Sequence, residues 1–175
     1  GRLGKLAEVE IHFDRYRPVP KDSWKERYAP GVGTHWDLGP HLIDQSLQLF
    51  GMPEKLFADL RSQRSRGTTT DYFDIQLFYK DFKVILKAGS LVQGEVPHYR
   101  LHGEKASFIK YGLDVQEATM AAGTFPTKNG PWGSEPEEQY GTLYTPEGKE
   151  TIPSETGNYI HFYNNVADTL NGTTS

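Results

Sequence analysis

The sequence predicts an α+β domain: an open, predominantly antiparallel β-sheet with helices on one face. Three observations predict it. Residues 55–63, 72–79, 83–92 and 99–111 are rich in β-branched and aromatic side chains and are separated by short polar connections, as consecutive strands of a meander are. The tripeptide Lys80-Asp81-Phe82 between two of these runs is short enough for a hairpin, so residues 72–79 and 83–92 are expected to pair directly. Apolar residues recur at helical spacing over residues 38–50 and again over 159–170.

Each element has a local cause. Over residues 6–13, Leu6, Val9, Ile11 and Phe13 interleave with Glu8, Glu10 and His12, a near period of two that predicts a strand. Residues 18–39 carry Pro20, Pro30, Gly31 and Gly33 and predict a long functional loop. A helix over residues 38–50 has Pro40 in its first turn and Gly51 and Pro53 as stops, with Leu42, Ile43 and Leu49 turned to the core. Residues 114–122 are helix-compatible, 123–140 form a Gly/Pro-rich excursion, and the final helix carries an aromatic wall of Tyr159, His161, Phe162 and Tyr163 that is expected to pack. The sheet face that the helices leave free invites self-association.

Composition narrows the function. A chain of 175 residues with 36% hydrophobic and 13% aromatic residues can bury one core, so a single folded domain is expected. A net charge of -4 with both signs interspersed leaves no basic face for phosphate backbones, so a small molecule is expected as partner rather than nucleic acid. There is no cysteine, and no apolar run approaches the roughly 20 residues that span a bilayer, so a cytoplasmic setting without membrane contact is expected.

The chemistry concentrates in Asp37-Leu38-Gly39-Pro40-His41-Leu42-Ile43-Asp44. On a helix, positions four and seven apart share a face, which would align Asp37, His41 and Asp44. A histidine accepts a hydroxyl proton near neutrality, and a carboxylate beside it fixes its tautomer and stabilises the imidazolium. The same residues also fit a plain helix start, with Asp37 as cap, His41 solvated and Asp44 a surface charge. His35, Asp37 and His41 could be written as metal ligands, but they match no ligand motif, and no metal site is expected. Gly31-Val32-Gly33 is followed by Trp36 where a dinucleotide fingerprint needs its third glycine, and no strand is expected immediately before it, so these residues are no dinucleotide fingerprint. Arg15, Arg17, Trp24, Lys25 and Arg27 cluster before the helix, either as a binding surface for hydroxyls, phosphate or a ring, or as a solvated basic loop.

Taken together, Asp14-Arg15-Tyr16-Arg17-Pro18, Trp24-Lys25-Glu26, the run from Gly31-Val32-Gly33-Thr34-His35-Trp36-Asp37 through His41 to Gln45, and Leu49-Phe50-Gly51-Met52-Pro53 resemble the glucose-fructose oxidoreductase/inositol dehydrogenase/rhizopine catabolism family. The wording around these residues is most similar to its scyllo-inositol dehydrogenase-like branch. The resemblance implies the C-terminal domain of a two-domain enzyme, with a dihydrodipicolinate reductase-like sheet that roofs the substrate and forms the dimer face. An N-terminal Rossmann domain binding NAD or NADP is expected ahead of Gly1, and a further segment beyond Ser175. By the same resemblance His41 accepts the proton of a sugar or polyol hydroxyl, Asp37 is its partner or a second hydroxyl ligand, and Asp44 supports the substrate. The family's catalytic lysine sits in a Glu-Lys-Pro motif that is not found here, so this domain alone is expected to be inactive. A glycosidase using tightly held NAD and a non-catalytic dimerisation or sensing module are the alternatives the resemblance leaves open.

Overall fold

A computed structural model describes residues 1–126 and 132–173. Its centre is strand β1 (Leu6–His12), whose side chains alternate: Val9 and Ile11 are fully buried, while Glu8, Glu10 and His12 point to the opposite face. β1 lies parallel to β4 (Lys83–Gly89) and antiparallel to β5 (Tyr99–Gly103). Outward from β4 run β3 (Tyr72–Phe78) and β2 (Lys55–Arg61). Outward from β5 run β6 (Ser107–Lys110), β7 (Gly141–Thr145) and β8 (Gly148–Ile152). The eight-stranded order is β2-β3-β4-β1-β5-β6-β7-β8, and the β1–β4 pair is its parallel junction.

The expected α+β class and the β3–β4 hairpin are present, with Tyr79 and Phe82 stacked at its turn, ring centroids 4.7 Å apart. The simple meander is not. β1 enters between β4 and β5, a long-range insertion that no local connection betrays. Residues 99–111 form two strands rather than one, turned by a Gly103 amide bond to the Ala106 carbonyl at 3.0 Å. Gly103 is required there, because a Cβ would stand 2.3 Å from the Leu3 carbonyl oxygen. β7 and β8 are an additional hairpin about Pro146-Glu147, and its alternating Thr142, Leu143, Tyr144 pattern was a readable strand signal.

The loop expected over residues 18–39 is more ordered than its Pro/Gly content implies. It holds a 3-10 turn at Trp24–Glu26 and the one-turn helix α1 (Thr34–Asp37), joined through Leu38 to α2 (Gly39–Phe50). Leu38 keeps right-handed helical dihedrals, so the two run on as nearly one helix. Leu38 and Leu42 pack on Val9, Ile11, Phe73, Leu77, Val84, Leu86 and Ala88 to form the core, and Ile43 is packed partly against it. Leu49 is not a core residue: it is 60% exposed. Periodicity gives the apolar stripe of a helix, not how far the sheet extends beneath it.

In the other half, α3 (Val115–Ala121) is capped by Asp114, whose carboxylate accepts the Gln116 amide at 2.7 Å. Buried Gln116 in turn accepts the Tyr159 amide at 2.8 Å, at the start of α4 (Ile160–Leu170). Residues 127–131 of the expected Gly/Pro-rich excursion lie outside the described residues. The aromatic wall expected to pack is instead exposed: Phe162 and Tyr163 touch each other edge to face, and α4 has no buried residue among those described. No helix among the described residues is long and apolar enough to cross a membrane.

Candidate functional site

The turn from β1 towards α1 builds a concavity of about 480 Å³, with Arg15, Arg17, Trp24, Lys25, Thr34 and Asp37 in its wall. The backbone of this turn is held as an irregular extension of the sheet. The Arg15 amide donates to the Gly89 carbonyl at 3.0 Å, the Arg17 amide to Ser90 at 2.8 Å, and the Val92 amide back to Arg15 at 3.2 Å. Gly33 opens α1 with φ at +124°, and a Cβ there would stand 3.1 Å from the His35 ring and 3.2 Å from Thr70 Cβ. The Thr34 amide donates to the Thr70 carbonyl at 2.7 Å and ties the helix start to the cavity's far wall.

A buried ion cluster supports the floor. The Arg64 side chain, 3% exposed, donates through Nε to Asp71 at 2.8 Å and through Nη2 to Glu26 at 2.6 Å. Asp71 also accepts the Gln63 and Arg64 amides at 2.6 and 3.0 Å. Burial alone would lower the Arg64 pKa, but the hydrogen bonds and charges of Glu26 and Asp71 outweigh it and raise the pKa above its ordinary value. Sequence reasoning missed this cluster, because an arginine in Arg61-Ser62-Gln63-Arg64-Ser65-Arg66-Gly67 reads as a surface turn.

The expected site residues divide. Arg15, Trp24 and Asp37 come together in the cavity wall. The Asp37 carboxylate does not cap a helix: Gly33 and Leu38 occupy the cap positions, and Asp37 accepts from Lys25 Nζ at 2.6 Å. His41 and Asp44 lie further along α2, both exposed, one and two turns beyond Asp37 on the continuing helical face. No hydrogen bond joins His41 to Asp37 among the described residues. Trp24 is 69% exposed, with Lys25 Nζ 5.8 Å from its ring centre.

Charge in the cavity is unevenly satisfied. Lys25 and Asp37 pair with each other, and Glu26 is already the partner of Arg64. The half-buried Arg15 side chain makes no hydrogen bond or ion pair among the described residues. Burial lowers its pKa first, the positive charge of Arg17 adds to that, and Asp37 and Glu26 offset it only in part. His35 is not a cavity residue; its Nδ1 is buried without a hydrogen-bond partner, and burial lowers its pKa. Among the described residues, no three His, Asp or Glu side chains converge as a metal site would require. Nor do the Gly31 and Gly33 backbones form a dinucleotide cradle, since a one-turn helix follows them and no strand feeds them.

A second cluster lies on the sheet face opposite the core. His12 donates toward Asp14 at 2.8 Å and Glu10 at 2.9 Å, beside a small cavity of about 130 Å³ that His98 also lines. The spacing Glu10-x-His12-x-Asp14 was its readable signal, because alternate residues of a strand share a face.

Comparison with known proteins assigns the family. The family described as oxidoreductase family, C-terminal alpha/beta domain, matches residues 1–174. The chain belongs to this Gfo/Idh/MocA family. The domain is 40% identical over 174 residues to scyllo-inositol 2-dehydrogenase (NADP(+)) IolW of Bacillus subtilis (strain 168), covering 97% of this chain and 48% of that protein. It is 40% identical over 177 residues to the uncharacterized oxidoreductase YdgJ of Escherichia coli (strain K12), covering 98% of this chain and 50% of the relative. The solved oxidoreductase yvaA from Bacillus subtilis superposes with a TM-score of 0.90 at 38% identity, covering 100% of this chain and 50% of that one. The Gfo/Idh/MocA domain described here thus spans about half the length of the relatives it matches.

Proposed function

We propose that this domain is the substrate half of an NAD(P)-dependent oxidoreductase that oxidises a secondary alcohol of a sugar or cyclic polyol, with a Rossmann domain as its other half. The observation that carries the reading is the position of Asp37. It lies in the wall of the 480 Å³ cavity and one helical turn before His41, in a chain 40% identical to a scyllo-inositol 2-dehydrogenase. His41 accepts the proton of the reacting hydroxyl. Asp37, held by Lys25, takes a second hydroxyl or orients the imidazole, and Asp44 supports the substrate from the next turn. Arg15 and Trp24 hold the remainder of the ring. When bound to the other half, NAD or NADP supplies the hydride acceptor.

The test is NAD(P)H formation by the full-length protein against a panel of inositols and aldoses. His41→Ala is expected to lower turnover by roughly two to four orders of magnitude, as loss of a general base does. A change below about tenfold in a folded variant would remove His41 from that role.

A homodimer through the sheet face opposite the core belongs to the same reading. Exposed Phe57, Phe78 and Tyr144 lie on that face, in register with Gln76, Lys83 and Ser107.

A further inference from the structure

We infer that the substrate carries an anionic group, a carboxylate or a phosphate, and that Arg15 receives it in the cavity between the β1 turn and α1. The inference rests on the dehydrogenase reading and narrows its substrate class. Four cationic side chains line this cavity, Arg15, Arg17, Lys21 and Lys25, against the two carboxylates of Glu26 and Asp37. Both carboxylates are already occupied: Asp37 by Lys25 at 2.6 Å, and Glu26 by the buried Arg64 at 2.6 Å. Arg15, Arg17 and Lys21 are left without a carboxylate partner among the described residues.

Arg15 is the decisive member, because it is half buried rather than solvated. A guanidinium partly withdrawn from water with no carboxylate hydrogen-bonded to it is under-solvated, and an oxyanion that enters the cavity relieves this by accepting two parallel N–H bonds. A neutral polyol would not relieve it. The backbone on either side of Arg15 is fixed by its pairing with Gly89 and Val92, so little ordering is left to do on binding. Thr34, Thr69 and Thr70 on the same wall add hydroxyls suited to the neutral part of the ligand.

Matched substrates test this in the full-length enzyme: glucose, glucuronate and glucose 6-phosphate, then myo-inositol and its 1-phosphate. One anionic member of a pair is expected to exceed its neutral counterpart in kcat/KM by about tenfold or more, the range of a charge-assisted hydrogen bond. Arg15→Gln is expected to abolish that advantage, raising the KM for the anion by about tenfold more than it raises the KM for the neutral counterpart. Preference for the neutral member, or equal loss for both, overturns the inference. So does a rise in the KM for NAD(P) alone, which would assign Arg15 to the phosphates of the cofactor.

If no substrate turns over, the dehydrogenase reading has failed, and calorimetric titration with glucuronate and glucose separates the two. Binding of glucuronate alone, lost in Arg15→Gln, keeps the anion site. Binding of neither overturns it.

Discussion

His12 shows how one side chain ties pH to stability. A neutral imidazole has a single N–H donor, yet both ring nitrogens sit within 2.9 Å of carboxylates, so only the imidazolium satisfies Asp14 and Glu10 together. Burial would lower its pKa, but the hydrogen bonds and charges of the two carboxylates outweigh this and hold the folded-state pKa above the ordinary 6.5. The stabilisation is therefore complete below about 6.5 and is lost as pH rises through the raised value. His98, whose pKa burial lowers, acts on the other side: it withdraws stability as pH falls below 6.5. Urea midpoints should fall for the wild type as pH rises from about 7 to about 9, above the range in which His98 acts, while His12→Gln should lose that fall. Parallel curves for the two proteins would show that His12 is not the group that titrates.

At the scale of elements, the cavity depends on how the segment leading to β3 holds the loop before α1. Arg64 joins them, with Asp71 on one side and Glu26 on the other, and Thr68 adds a hydrogen bond to the Glu26 carbonyl at 2.9 Å. Arg64→Ala would leave Asp71, 1% exposed, as a buried carboxylate without its counter-charge. The expected destabilisation is about 3–5 kcal/mol by denaturant unfolding. Arg64→Lys should recover only part of it, since an ammonium lacks the planar fork that serves both carboxylates. A loss under about 1 kcal/mol in Arg64→Ala would mean the loop is held by its other contacts. By contrast, Lys25–Asp37 is an exposed pair whose value is positional: it orients Asp37 without adding much to stability.

For the whole molecule, the two faces of the sheet carry different work. One face is apolar and covered by α1 and α2. The other carries crossed ion pairs, Glu8–Lys83 at 2.8 Å, Glu10–Arg100 at 3.0 Å and Asp74–Lys87 at 3.4 Å, among the exposed aromatics Phe57, Phe78 and Tyr144. Such a mixed face suits a symmetric partner, which meets each charge with its own complement. Light scattering of the full-length protein should give a dimer or a higher multiple, and Phe57→Asp with Phe78→Asp should dissociate it without loss of fold. A wild-type monomer at micromolar concentration would set this face aside as the interface.

The sequence by itself determined the class of fold and the central helix with its Pro40 entry and Gly51 exit, and it singled out Arg15, Trp24, Asp37, His41 and Asp44 as candidates for a site. These follow from short-range causes: periodicity, backbone restriction and turn chemistry act within a few residues of where they are read. Only the tertiary structure decided that β1 enters between β4 and β5, that Leu49 and the aromatic face of α4 remain exposed, and that Arg15, Trp24 and Asp37 share a cavity while His41 and Asp44 lie outside its wall. It alone revealed Arg64 as a buried cation between two loops far apart in sequence. Burial and charge compensation depend on which distant segments meet, and strand insertion sets that without leaving a local mark in the chain.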